Sequence, residues 1–404
     1  MKRREKQARR LYAGLPIVQE ARTWAEVDLD ALCHNYRVVS EHIARGAGRH
    51  VPIICVIKAD AYGHGAGAVA RALMDEGCRT FAVSCIEEGE ELRAVCREVG
   101  IDADILILGY TRPALAARLA KNDLITALVS ADYARELAAR AAAAGVTVRT
   151  HIKLDTGMNR IGFPVRTDGE VARAIHDIAL IRTYRSLSIE GLFTHFARAD
   201  EASGPVATGL TATQRARFVA VRDGLATLGL GDLCCHVCNS AAAIRFPDFA
   251  DDAVRVGISL YGCEPSDALR GLDLRPVMRL RTLVSHVHTL PAGETVGYGG
   301  TFRADGERRI ATLPVGYADG FLRAFGGARV RIETASGEIL APIVGRICMD
   351  QCTVDVTDTD VAVGDKVTLL GSDPEDIRDL ARRAGTIPYE VLCLISARVP
   401  RLYL

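Results

Sequence analysis

The sequence has no excess of either charge: Lys and Arg total 50, and Asp and Glu total 50. That balance argues against a nucleic-acid partner, which calls for a basic stripe or patch. Six of the first ten residues, MKRREKQARR, are Lys or Arg against one Glu, which leaves residues 11–404 five charges acidic. A basic leader over residues 1–23 on an acidic body reads as a solvated, flexible terminus. No apolar run approaches the roughly 18 residues of a membrane-spanning helix. The stretch LYAGLPIV is short, contains Gly14 and Pro16 and lacks a small-residue cleavage site, so a secretory leader is not expected. The 12 cysteines form no disulfide framework in a chain this long; Cys55, Cys85, Cys263 and Cys393 sit in apolar runs, which suits buried thiols in a reducing cytoplasm. Cys235-His236-Val237-Cys238 resembles half a zinc site, but no second pair stands at a suitable spacing, and no metal is expected. Internal repeats and low-complexity segments are also missing.

What is present is a globular chain of 404 residues, 49% hydrophobic and 25% charged, long enough for two or three domains. Residues 25–30, Ala-Glu-Val-Asp-Leu-Asp, alternate as a half-buried strand does. Asp30 is then placed to cap a helix with Leu32, Tyr36, Val39 and Ile43 on one face. Eight short apolar runs follow: VPIICVIK (51–58), TFAVS (80–84), DILILG (104–109), ITALV (125–129), VRTHIKLD (148–155), IEGLFTH (189–195), LCCHVC (233–238) and AVRVGI (253–258). Amphipathic segments ending at glycine separate many of them, among them DYARELAARAAAAG and TQRARFVAVRDGLATLG. Eight βα units predict a (β/α)8 barrel over residues 24–272. A doubly wound open sheet competes, but no GxGxxG follows the first run.

The pattern changes near residue 272. Residues 273–404 read as an all-β domain: VMRLRTLVSHVHTL, RRIATLPV, a hairpin ARVRIETASGEILAPIV turning at Ser336-Gly337, CTVDVT and DKVTLL. One helix, IRDLARRAG, precedes Tyr389 and a terminal strand-like stretch. The strand at 25–30 is available to pair with this domain.

A barrel enzyme carries its chemistry at the C-terminal ends of its strands. Those positions hold Lys58, Asp155, His195, Asn239-Ser240 and Gly257. One such residue alone is an ordinary solvated loop side chain; five at one end of one barrel point to a common site. Lys58 follows the apolar VPIICVI, where desolvation lowers the pKa of its amine and readies it for a Schiff base. Asn239 and Ser240 after the seventh run, and the amides of Gly257 and Ile258 after the eighth, occupy the loops where barrels bind phosphate. A lysine with a phosphate cradle fits pyridoxal 5′-phosphate (PLP); an aldolase-type barrel acting on a phosphorylated sugar stays open on position alone.

The motifs themselves resemble alanine racemases, a PLP-dependent family built of a barrel and a β domain. The likeness lies in VIKADAYGHG (56–65), LDTGMNRIG (154–162), THF (194–196), NSAA (239–242), RVGISLYG (255–262), VGYG (296–299), GYADG (316–320), GRICMD (345–350) and YEV (389–391). It runs from about Trp24 to the C-terminus; the basic leader lies outside it. The resemblance implies a cytoplasmic homodimer that interconverts L- and D-alanine for cell-wall peptidoglycan. Lys58 would hold PLP as an aldimine and act as one acid/base, and Tyr298 of the other subunit as the second. Arg255 would face the pyridine nitrogen, and as a permanent cation it cannot accept a proton from the ring. His195 would link Arg255 to Tyr298. Tyr62, Ser240, the Gly257 and Ile258 amides and Tyr389 would hold the phosphate, with Asn239 shaping the turn beside it. Arg160 would reach the substrate carboxylate with the help of the Met349 backbone, and Tyr317 would line the entrance. The resemblance also implies a carbamate on Lys153, since an unmodified amine facing Arg160 would set two like charges in a partly dry site.

Plainer readings stand beside these. Tyr317 and Tyr389 could pack at a domain seam, His195 could be a satisfied structural histidine, and Cys348 reads as a packing residue and not a nucleophile. Asn159 stands where Gly or His is expected, and Ala397 follows Ser396 where a bulkier residue is common; both leave alanine against serine or a broader specificity open. A PLP decarboxylase of the same fold is a runner-up, although the settings of Tyr298 and Met349 fit the racemase better. A non-catalytic PLP carrier resembles the barrel alone and would lack the domain that carries Tyr298.

Overall fold

A computed structural model of the chain describes residues 21–201 and 209–404. Residues 1–20 of the expected leader lie outside the described residues. The eight apolar runs become eight parallel strands: Ile53–Val56, Thr80–Val83, Asp104–Ile107, Ile125–Leu128, Val148–Asp155, Leu187–Phe193, Cys234–His236 and Val254–Val256. They pair in chain order, with the eighth beside the first. The ring is drawn together between the seventh and eighth, where the Arg255 N–H donates to the Cys238 carbonyl at 2.9 Å. Most residues of these strands are buried, Ile, Val and Leu prominent among them, as a helix-wrapped parallel sheet requires. The barrel expected from the sequence is therefore the fold.

The entry into the barrel differs in detail from the sequence reading. The first strand is Thr23–Val27 and the helix that follows is Leu29–Ala47. Its cap is Asp28, two residues earlier than expected: the backbone there is extended and the carboxylate accepts the Ala31 N–H at 2.8 Å. Asp30 sits in the first turn instead, where its charge favours the positive end of the helix.

Thr23–Val27 runs antiparallel to Met278–Leu283 and parallel to Arg401–Tyr403, so both ends of the described chain meet in one sheet. That sheet has nine strands, in the order His286–Leu290, Arg308–Leu313, Cys352–Asp355, Gly337–Val344, Arg329–Thr334, Lys366–Leu370, Met278–Leu283, Thr23–Val27 and Arg401–Tyr403. The hairpin turns one residue before the expected place. Thr334 faces Gly337 across it, so Ala335-Ser336 are the two turn residues and Gly337 begins the return strand. Two helices, not one, precede the last strand. Pro374–Ala384 is capped by Asp373, and Pro388–Cys393 carries Tyr389. The second was missed because Pro388-Tyr389-Glu390 is too short to show a helical period.

One buried core runs through both parts, from Phe81 and Ile105 in the barrel to Phe321 and Val367 in the β domain. Among the described residues no helix is long and apolar enough to cross a membrane.

Candidate active site

Lys58 stands two residues beyond the first barrel strand, where Ile57 still donates to the Ala82 carbonyl at 2.9 Å. The next four residues depart from ordinary backbone. Ala59, Asp60, Ala61 and Tyr62 have φ of 52°, 52°, 54° and 55°, a left-handed turn built without glycine. Each such residue costs about 1 kcal/mol or more. The turn is held by its neighbours: Glu88 accepts the Ala59 N–H and Asp60 accepts the Ala66 N–H, both at 2.7 Å. It brings the Tyr62 ring beside Tyr261, with centroids 4.8 Å apart, and Tyr389, 6.1 Å away. Burial lowers the pKa of Lys58, and the Arg160 guanidinium lowers it further. More of the amine is thereby free base near neutrality, the form that attacks a carbonyl.

Lys58, Tyr62, His195, Asn239, Ser240, Arg255, Gly257 and Tyr389 line one cavity of about 470 Å³ at the C-terminal mouth of the barrel. Ile258 is fully buried behind Gly257. Asn239 caps the helix Ser240–Arg245, its side chain accepting the Ala242 N–H at 3.0 Å, which accounts for its turn-shaping place. The Ser240 hydroxyl accepts the Gly257 N–H at 2.9 Å, so the two residues expected to hold phosphate are in direct contact and the hydroxyl proton is left to donate into the cavity. A Cβ at Gly257 would lie 2.5 Å from the Tyr62 hydroxyl. Burial pushes both Tyr62 and Tyr389 well above the usual phenol range, so both remain hydrogen-bond donors.

Arg255, 2% exposed, is clamped by carbonyls: its guanidinium donates to Thr194 at 2.6 Å, to Val237 at 3.1 Å, and to His236. Burial lowers its pKa to about 10, which still leaves it a cation at neutral pH. It also donates to His236 Nδ1 at 2.8 Å, and His236 Nε2 lies 2.9 Å from His151 Nδ1. An arginine has only protons to give, so His236 Nδ1 accepts and its Nε2–H donates to His151. Burial holds His236 well below the usual range and lowers His151 to about 4, so the pair is neutral. The sequence gives His151 no role and His236 only that of half an incomplete zinc site. Among the described residues no group of three or more His, Cys, Asp or Glu is placed to hold a metal.

His195 is partly buried, and burial next to Arg255 keeps it well below its usual pKa. Its Nδ1 is 3.4 Å from Arg255 Nη2 and its Nε2 is 3.4 Å from Asn239 Nδ2. Both of these neighbours are donors, and a neutral imidazole accepts at one nitrogen and carries its proton on the other.

Lys153, 4% exposed, donates to the Leu154 carbonyl at 2.6 Å and lies 5.6 Å from the Phe193 ring centroid. Burial, with Arg255 and Arg160 adding to it, lowers its pKa to about 7. Asp155 folds the next turn by accepting the Gly157 and Asn159 N–H groups at 3.1 and 2.9 Å. Asn159 has φ of 56°, a left-handed position that Gly fills easily and Asn tolerates, which gives the unexpected residue a backbone reason. Arg160 follows at the exposed end of this turn.

The remaining predicted residues are elsewhere. Tyr298, Tyr317 and Met349 line a second cavity of about 790 Å³ on the β domain, with Arg323, Arg346 and Cys348. Tyr298 is 73% exposed there and Met349 54%. Within one chain the structure does not bring Tyr298 to His195. Tyr389 is the exception among the β-domain residues, since its helix reaches back to the barrel mouth.

The barrel residues suit PLP. The bare Gly257 lets the Tyr62 hydroxyl close on its backbone where any Cβ would clash, the Ser240 hydroxyl sits against the Gly257 N–H, and an amine of lowered pKa shares the cavity. A cavity of this size matches a cofactor of that class.

Comparisons with known proteins agree across the chain. A family model described as "Alanine racemase, N-terminal domain" matches residues 27–265, and "Alanine racemase, C-terminal domain" matches residues 277–403. An alanine racemase of Clostridium novyi is 41% identical over 94% of this chain and 95% of its own length. One of Methanococcus maripaludis is 37% identical over 94% and 98%. Among solved structures, the alanine racemase of Streptomyces coelicolor superposes with a TM-score of 0.85 at 33% identity, covering 95% of this chain and 98% of that one.

Proposed function

The chain belongs to the alanine racemase family of isomerases, and on that premise we propose that it interconverts L-alanine and D-alanine on PLP by two bases. The observation that carries this reading is the joint placement of Lys58, with its lowered pKa, and the Tyr62–Ser240–Gly257 cradle in one cavity. Lys58 would hold PLP covalently, and Tyr62, Ser240, Gly257, Ile258 and Tyr389 would hold its phosphate. When bound, PLP acidifies the substrate's α-carbon by withdrawing the electron pair left on it. The residues of the chain supply the rest. Lys58 moves a proton on one face of that carbon. Arg160 orients the substrate carboxylate. Arg255, kept charged by its carbonyl clamp and its neutral histidine partner, would face the pyridine nitrogen with a cation that cannot accept a hydrogen bond from a protonated ring.

The second face belongs to Tyr298 of a partner subunit. An aromatic and a methionine exposed side by side on the β domain are a surface in want of cover. A homodimer that lays this face over the barrel mouth completes the site. His195, held beside the Arg255 cation, is then the residue that meets the Tyr298 oxygen and stabilises its deprotonated form. The D-alanine formed is a building block of cell-wall peptidoglycan, and the site is cytoplasmic in this reading.

The reading is tested by reducing the PLP-loaded protein with borohydride and mapping its peptides. The pyridoxyl label is expected on Lys58; a label on Lys153 overturns the site assignment.

Lys153 has a separate role in this reading: it carries a carbamate. Its pKa of about 7 leaves a large share of the amine neutral at physiological pH, and a neutral amine attacks carbon dioxide, losing one proton as the N–C bond forms. The product turns a cation into an anion beside Arg160 and Arg255. Occupancy should rise as pH goes up through 7. In protein equilibrated with ¹³C-labelled carbon dioxide, a carbamate NMR signal is expected above neutrality and is expected to vanish in Lys153→Ala. Its persistence in that variant would contradict the assignment.

A further inference from the structure

The helix Leu210–Thr227 places Leu210, Gln214 and Arg217 on one face, four and three residues apart. That face meets the turn that follows Lys153. Gly157, at φ of 141°, lies so close that an added Cβ would be 3.2 Å from Arg217 Nη1, 3.6 Å from Gln214 Cγ and 3.7 Å from Leu210 Cδ1. Arg217 donates to the Thr156 carbonyl at 2.7 Å.

Gln214 is fully buried and every one of its polar directions is committed. Its carbonyl oxygen accepts the Ala197 N–H at 2.9 Å. Its amide nitrogen donates to the His195 carbonyl and to the Thr156 hydroxyl, both at 3.1 Å. The amide cannot be turned over, because a donor would then face the Ala197 N–H and an acceptor the His195 carbonyl. The protons beyond it are equally determined. Thr194 gives its hydroxyl proton to the Leu154 carbonyl at 3.0 Å, so it must accept from Thr156 at 2.8 Å, and Thr156 must accept from Gln214. The chain ends on the carbonyl that Lys153 also bonds.

We propose that Gln214 is a positioning residue that ties the Thr156–Arg160 turn to the His195–Ala197 loop and so sets the spacing of Arg160 and His195. The proposal rests on the functional reading above for what those two side chains do. It does not touch the phosphate cradle, which lies on Tyr62, Ser240 and Gly257. Losing Gln214 should therefore leave PLP bound at Lys58 while the substrate carboxylate and the second base fall out of register. Small misplacements of reacting groups cost about 10- to 100-fold in rate.

Two variants test this. Gln214→Leu removes all three bonds; Gln214→Glu keeps the shape, and when ionised it has no proton to donate. For Gln214→Leu, kcat/KM for alanine is expected to fall about 10- to 100-fold with a raised KM and an unchanged PLP absorption spectrum. Gln214→Glu should regain activity relative to the parent protein as pH is lowered from about 9 towards 6, since protonation returns one donor. By hydrogen exchange, peptides covering 155–160 and 194–197 should exchange faster in both variants. Parental KM, kcat and pH profile in both variants would overturn the proposal, as would a lowered melting temperature with kinetics and exchange unchanged. If the parent protein itself fails to racemise alanine, the functional reading fails, and the exchange measurement alone decides whether Gln214 clamps the two loops.

Discussion

Tyr298→Phe is expected to keep its PLP and its fold and to lose about 10²- to 10⁴-fold of its racemisation rate, the usual worth of a positioned acid/base. The fold should survive because Tyr298 is 73% exposed and its loss opens no cavity. PLP should stay because the residues that line the barrel mouth do not include it. The rate should fall because racemisation removes a proton from one face of a carbon and returns one to the other. Lys58 is tethered on one side, and a phenyl ring has nothing to exchange on the other. In deuterated water the parent protein should place deuterium mainly in the product enantiomer, with little in recovered substrate early in the reaction. A Tyr298→Phe variant running near the parental rate would mean that Lys58 serves both faces.

The second large effect is expected at Gly257. In Gly257→Ala the new methyl carbon would sit 2.5 Å from the Tyr62 hydroxyl, 3.2 Å from its Cζ and 3.5 Å from Val56 Cβ. Tyr62 has little room to yield, since its ring lies between Tyr261 and Tyr389 and its backbone belongs to the left-handed turn. Overpacking of this kind costs about 1–3 kcal/mol. Placed in the phosphate cradle, it should weaken PLP binding about 10- to 100-fold. Titrating stripped protein with PLP and following its absorbance measures this directly. Parental affinity in Gly257→Ala would place the phosphate somewhere other than between Tyr62, Ser240 and Gly257.

Much of this site could be read from the sequence because a barrel puts the last residue of each strand at one rim. Once the eight apolar runs were counted, Lys58, His195, Ser240 and Gly257 had to be neighbours. What the sequence did not show depends on contacts distant along the chain. The left-handed turn at Ala59–Tyr62 contains no glycine, so no local signal marks it; it exists because Glu88 and Asp60 hold it. Gln214 lies in TQRARF, a segment that reads as the start of an amphipathic helix with its polar residues outward, yet the structure buries it completely. His236 stands in the sequence only as half of an incomplete zinc pair, and the fold is needed to show that its partner is Arg255. Tyr389 was assigned to the site without the short helix that carries it. Asp28 and Asp30 are both good caps by type, and the choice between them turned on where the strand Thr23–Val27 ends.

The central claim is that one chain's Lys58 works with its partner's Tyr298, and mixing two crippled proteins tests it most directly. Lys58→Ala and Tyr298→Phe should each be close to inactive alone. After subunit exchange in equal amounts, about half of the dimers are hybrids, and each hybrid holds one site with both groups intact and one with neither. The account predicts recovery of about a quarter of the parental activity, appearing as the subunits exchange. A mixture that stays as inactive as its components, with hybrid dimers demonstrated, would contradict it.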